Sequence, residues 1–160
     1  MNPVDRADPS IYPKLRENAL KTMRLPDPAS YAVQMVLMDW HVSNGTVTVL
    51  AAADGTASMY LSSGGGFIGG GQGHPSIREA ALSAVQMASR FWPLCRDTEK
   101  IDLPAQDEVT FYLRTGAGLR MAAAKLDKLI AGSEPLGPLG GAMQRIVTEY
   151  RLKYPSPQSR

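Results

Sequence analysis

The stretch "YAVQMVLMDWHVSNGTVTVLAAADGTASMYLSS", residues 31–63, decides how this chain is read. It contains Asn44-Gly45 and Asp54-Gly55, two dipeptides suited to type I′ turns, which need positive φ at both central positions. Strand-forming residues flank each of them, so the stretch predicts a three-stranded antiparallel meander. A two-residue loop at Asn44-Gly45 pairs Ser43 with Thr46 and sets Trp40 against Val49. A two-residue loop at Asp54-Gly55 pairs Ala53 with Thr56 and sets Val49 against Tyr60. One face then carries Val36, Met38, Trp40, Val42, Val47, Val49 and Tyr60. The other carries Met35, Leu37, Leu50, Met59 and Leu61, interrupted by Asp39 and His41.

An antiparallel sheet with one wet face alternates apolar and polar residues. This one is apolar on both faces, so both need a cover. Either helices lie on both sides, or helices cover one side and a second subunit the other. Val36, Met38, Trp40, Val49 and Tyr60 are the residues expected at such a subunit interface.

Upstream, "PSIYPKLRENALKTM", residues 9–23, reads as a helix. Asp8 suits its cap and Pro9 its first position, with Ile11, Leu15, Ala19 and Met23 as the apolar stripe. Downstream, six glycines at 64–66 and 69–71 surround Phe67-Ile68. Residues 75–92 form the next helix, with Pro75 at its first position and Ile77, Ala81, Ala84, Val85, Ala88 and Trp92 on one stripe. Residues 94–108 are a polar connection. A second hairpin spans 109–126, turning at Gly116-Ala117-Gly118; a three-residue loop there pairs Thr115 with Leu119. It sets Arg114 opposite Arg120, an unfavourable arrangement without an anion or acid nearby. Residues 119–128 also suit a helix by propensity, but the turn before them favours the strand. A last helix over about 138–152 carries Leu139, Met143, Ile146, Val147 and Tyr150.

The expected fold is therefore α+β: one domain over 1–160, with an antiparallel sheet of about five strands in the order α-β-β-β-α-β-β-α. The ends, 1–8 and 154–160, are expected to be flexible. The element order is similar to that of small regulatory modules of the roadblock or profilin-like kind, in which a central antiparallel sheet carries helices and often dimerises.

Composition narrows the function classes. Seventeen Lys+Arg against fifteen Asp+Glu leave a formal charge of +2, without the basic stripe of a nucleic-acid binder. A single cysteine excludes an internal disulfide and a multi-cysteine zinc site. The N-terminal residues lack the apolar core of a signal peptide, and no apolar run approaches a membrane span. The expectation is a soluble, cytoplasmic protein without membrane or nucleic-acid partners, metal or cofactor.

The residues "GGGFIG", 64–69, match G-x-G-x-x-G in form. The dinucleotide fingerprint needs a parallel strand before it and a helix immediately after. Neither holds here, and "GGQGHPS" lacks the lysine of a P-loop. A looser anion site remains: Gly69, Gly70, Gly71 and Gly73 as a nest of N–H groups, with His74 and Arg78 at a helix start. The competing and stronger reading is glycine needed for close backbone approach. Asp39 and His41 lie on one strand face, in reach of acid–base work, but no nucleophile is tied to them, and a satisfied polar pair is the commoner outcome. Cys95 beside Arg96 suits either an activated thiol or a small core residue. Arg114 and Arg120 are the candidate anion clamp. No catalytic constellation emerges. The leading expectation is a non-enzymatic binding, scaffold or regulatory module acting through protein contacts as a homodimer. The alternative is a small-molecule or anion-binding enzyme on the glycine segment.

Overall fold

The structure, a computed structural model, describes residues 3–4, 9–43 and 45–155. It is mixed α+β, as expected, with four α-helices and one antiparallel sheet that is larger than the expected five strands. The elements are β1 (Pro3–Val4), α1 (Ile11–Glu17), β2 (Met35–Val42), β3 (Gly45–Ala52), β4 (Ala57–Leu61), β5 (Gly66–Phe67), α2 (Pro75–Ala88), β6 (Arg96–Asp97), β7 (Glu108–Thr115), β8 (Gly118–Lys125), α3 (Leu126–Ala131) and α4 (Gly137–Lys153). The strand order is β1-β5-β4-β3-β2-β7-β8-β6. The additional strands β1, β5 and β6 are two residues each, too short to leave a pattern in the sequence.

Both sheet faces are closed by the chain's own elements. On one face α2 and α4 bury Ile77, Ala81, Ala84, Leu139, Met143 and Ile146 over Val36, Met38, Val49, Phe111 and Leu113. On the other, α1 and the turn after it bury Tyr12, Ala19 and Leu20 over Met35, Leu37, Leu50, Tyr60 and Tyr112. Of the two expected covers, the structure uses helices on both sides.

The three hairpins each depart from the expected register, for three different reasons. At the first, Val42 pairs with Gly45 and Trp40 with Val47, a shift of two residues that keeps every side chain on its face. Gly45 is not needed in a tight turn. Its missing Cβ makes room for the Ser62 hydroxyl, which accepts the Thr46 N–H at 2.8 Å.

At the second hairpin the loop has three residues, Ala53–Gly55. The Ala52 N–H donates to the Thr56 carbonyl and the Gly55 N–H to the Ala52 carbonyl, with Gly55 at φ +89°. That is a three-residue turn closed by a glycine at positive φ, and its odd count inverts β4. Val49 therefore faces Met59, and Tyr60 faces Thr48 on the α1 side, opposite to the face expected for it.

At the third, Thr115 pairs with Gly118 around a two-residue loop. Gly116 donates to the Ser30 carbonyl at 2.8 Å, and the carbonyls of Pro28 and Ser30 occupy the space a Cβ would need. Arg114 now faces Leu119, and Arg120 faces Leu113. The two arginines are on opposite faces and form no clamp.

The first helix also differs. After Glu17 the chain winds as a π-turn over Asn18–Thr22. The buried side is Tyr12, Arg16, Ala19 and Leu20, while Ile11 is exposed. Of the ends expected to be flexible, Pro3–Val4 pairs with β5 and Tyr154 stacks on Phe67. Residues 1–2, 5–8 and 156–160 lie outside the described residues, as do the proposed Asp8 cap and the turn residue Asn44.

Candidate functional site

The glycine segment holds itself together with the groups a ligand would need. A Cβ at Gly66 would strike the Met59 carbonyl, one at Gly70 the Tyr150 ring, and one at Gly71 the Gly55 carbonyl. The Gly69 N–H donates to Ser58 Oγ at 3.1 Å and the Gly70 N–H to the Tyr150 hydroxyl at 2.9 Å. The Gly73 N–H caps onto the Gly70 carbonyl. Of the two side chains expected to help, His74 Nε2 meets the Tyr154 hydroxyl at 2.9 Å, and Arg78 Nη1 donates to the Asp54 carbonyl at 2.6 Å. Phe67 is stacked between Tyr150 and Tyr154, both centroids at 4.9 Å. The Tyr150 hydroxyl donates onward to the Ala57 carbonyl at 2.6 Å. Burial pushes its pKa up to about 12, with the Gly70 N–H pulling the other way. The segment is thus tied to α4 by aromatic stacking and a relay of hydrogen bonds.

Asp39 does not work with His41. The β2–β3 pairing sets Thr48 beside Asp39 and Thr46 beside His41. Asp39 is fully buried, and Arg16 Nε and Nη2 both donate to its Oδ2, at 2.8 and 2.6 Å. Thr48 donates its hydroxyl to Asp39 Oδ1, which leaves the Tyr12 hydroxyl to donate to Thr48 at 2.7 Å. Arg16 also reaches the Ile101 and Asp102 carbonyls, and the Tyr112 hydroxyl meets Asp102 O at 2.8 Å. Burial raises the Asp39 carboxyl against the opposing pull of Arg16, and the Asp39 contact holds Arg16 above the ordinary arginine value against its own burial. The network pins α1 and the 101–102 connection onto the sheet. Sequence reading missed Arg16, although a lone arginine four residues after Tyr12 on a packed helix carried the signal.

Cys95 is buried, its Sγ donates to the Phe91 carbonyl at 3.3 Å, and burial pushes its thiol up. That is the environment of an unreactive thiol. Among the described residues no group of three His, Cys, Asp or Glu is placed to hold a metal ion, and no helix is long and apolar enough to cross a membrane.

The residues expected at an interface divide. Val36, Met38 and Val49 are packed under α2 and α4, and Tyr60 is packed under α1. Met38 and half-buried Trp40 line an apolar groove of about 410 Å³ between the end of β2, α3 and α4. Leu126, Leu129 and Ile130 of α3 form one wall. Gly137, Gly140 and Gly141 form the other, with Gln144 as its polar member. The helix α3 ends where Gly132 turns left-handed at φ +74°, with its N–H on the Leu129 carbonyl. That early stop leaves Ile130 79% exposed. The sequence contained the pattern as "LDKLIAG", in which Ile130 has no helical partner one turn on. In comparisons with known proteins, no family model, no curated protein and no solved structure matches this chain.

Proposed function

We propose that this protein is a non-enzymatic binding module that acts through protein–protein contact, as a homodimer joined at the groove between α3 and α4. The observation that carries this reading is a knob beside a hole. Ile130 stands exposed at the rim of an apolar groove, and open space lies above Gly137 and Gly141 on the opposite wall. A twofold contact uses the same patch on both subunits, so one patch must offer both shapes. The sheet faces no longer motivate a subunit contact, because the chain's own helices cover them. The contact therefore moves to the groove, which still uses Trp40 of the five residues first expected, with Met38 buried at its floor. An anion-binding enzyme on the glycine segment has less support, since the N–H groups of Gly69, Gly70 and Gly73 are used within the chain.

Size-exclusion chromatography with light scattering tests the reading. At micromolar concentration the protein should run at twice the chain mass. Ile130→Asp should return it to a folded monomer whose melting temperature no longer depends on protein concentration, because it loses only the mass-action contribution of the contact and an exposed substitution itself shifts stability by less than about 0.5 kcal/mol. A monomeric wild type, or a dimer indifferent to Ile130→Asp, would overturn it.

A further inference from the structure

Three arginines among the described residues are not exposed: Arg16, Arg114 and Arg120. Two have an acidic partner. Arg16 is paired with Asp39 at 2.6 Å, and Arg120 lies 3.4 Å from Asp97 while covering the Trp92 ring. No carboxylate among the described residues pairs with Arg114. Its Nη1 donates to the Ala19 and Met23 carbonyls, each at 2.8 Å, and approaches Met35 Sδ. Those contacts fix the guanidinium where the π-turn ends. They do not cancel its charge, and among the described residues no group accepts from its Nε or Nη2.

Arg114 lines a groove of about 400 Å³ between the residues after α1 and the β7–β8 tip. Two more cations, Lys21 and Arg24, line the same groove, and no Asp or Glu does. Its remaining lining is mixed: Met23 and Leu119 are half-buried, Leu20 and Leu25 lie buried beneath, and Thr22 and Thr115 are polar. Burial alone depresses the Arg114 pKa, as it would for a cation lacking a counter-charge. Two acidic side chains, Asp97 and Glu99, line an adjoining cavity of about 580 Å³ that shares Leu20, Lys21, Gly118 and Leu119 with this one.

We propose that this groove binds a small organic oxyanion, with its carboxylate or phosphate on Arg114 and its apolar body against Met23 and Leu119. A guanidinium edge matches the two oxygens of such a head bidentately. Lys21 and Arg24 add long-range attraction at the rim. Asp97 and Glu99 repel an anion from the adjoining cavity, so the head has one favourable end. The volume lies at the small-metabolite end of the range for ligand pockets. This site is on the α1 side of the sheet and does not depend on the groove at Ile130.

The test is a titration with hexanoate, hexyl phosphate, inorganic phosphate and neutral hexanol, followed by ¹H–¹⁵N chemical shifts of the full chain. Saturable shifts confined to residues 20–25 and 115–119 are expected with hexanoate or hexyl phosphate, and the tighter of the two identifies the preferred head. Inorganic phosphate should shift the same amides more weakly. Arg114→Met should abolish the shifts, but it also removes a tie to the π-turn after α1 and can disturb the fold. The exposed pair Lys21→Ala with Arg24→Ala avoids that difficulty. It should weaken binding roughly tenfold while leaving the melting temperature in place, the size expected for two rim charges. Absence of saturation with both anions, equal binding of hexanol, shifts elsewhere, or indifference to the rim double variant would each overturn the proposal.

Discussion

On one face of the sheet α2 and α4 bring fourteen and seventeen residues, and nearly everything they bury is aliphatic, alanine or methionine. On the other face α1 brings seven residues and a π-turn of five, and at the centre of what it buries is an arginine–aspartate pair. The first cover is held by apolar area. The second is too short for that and is fixed in place by a polar network that accepts only one docking position. Large area tolerates small errors of placement. A buried ion pair does not, because a missing partner leaves a charge uncompensated in a dry site.

The sharpest way to break this contrast is Asp39→Ala. It should cost about 3–5 kcal/mol by stranding Arg16, read as a fall in the urea midpoint with an unchanged slope. Combining Arg16→Met with Asp39→Leu should recover most of that loss, since a packed apolar pair can replace a buried ion pair. A small effect of Asp39→Ala would mean that α1 is held by area after all. On the opposite face, Leu139→Ala should cost about 3 kcal/mol, within the usual range for a buried leucine, and no partner substitution at a polar site should repair it.

Tyr150→Phe comes next, at about 1–3 kcal/mol, because it leaves the buried Gly70 N–H and Ala57 carbonyl without their shared partner. It also has a pH signature. The folded-state pKa of Tyr150 is raised from 10.0 to about 12, as is that of Tyr12. Below pH 10 both are protonated in the folded and unfolded chains, and their contribution is fully present. Between pH 10 and 12 the unfolded chain loses protons that the folded chain keeps, so stability falls as pH rises. Denaturant midpoints over that window should decline less steeply in Tyr150→Phe. The smallest effect expected is at Lys125→Ala, which removes a 2.9 Å surface pair with Glu108 and should cost under about 1 kcal/mol.

Much of the fold was legible because it rests on period. The α4 stripe of Leu139, Met143, Ile146, Val147 and Tyr150 is buried as its spacing predicts, and the meander and second hairpin form over the stretches that alternation marks, although each in a register other than its turn residues implied. What escaped the sequence was set by contacts between distant segments. Gly45 and Gly116 look like turn glycines, yet each makes room for a remote group, Ser62 in one case and the 28–30 backbone in the other. The buried side of α1 was misplaced because Arg16 reads as a surface cation until Asp39 is seen beneath it. The same holds for the site residues. Gly69, Gly70, His74 and Arg78 have the right chemistry for an anion, but the chain's own Ser58, Tyr150, Tyr154 and Asp54 reach them first. Arg114 was singled out for a clamp with Arg120 that a one-residue difference in loop length dissolves.

The loop Ala53–Gly55, exposed at Ala53 and Asp54, has one further consequence, for evolution and engineering alike. Loop tips normally accept insertions and deletions freely. Here the residue count sets whether the strand that follows is in phase or out of phase with the sheet. Losing or gaining one residue, with pairing otherwise kept, would send Tyr60 beneath α2 and α4 and turn Met59 toward α1, so that both cores would be mispacked by a change made at the surface. Changes of two residues would preserve the phase. The loop is therefore constrained in its arithmetic as well as at Gly55, whose φ of +89° and contact with Arg78 leave no room for a side chain, and in a library of length variants across it the survivors should be those with an odd number of loop residues.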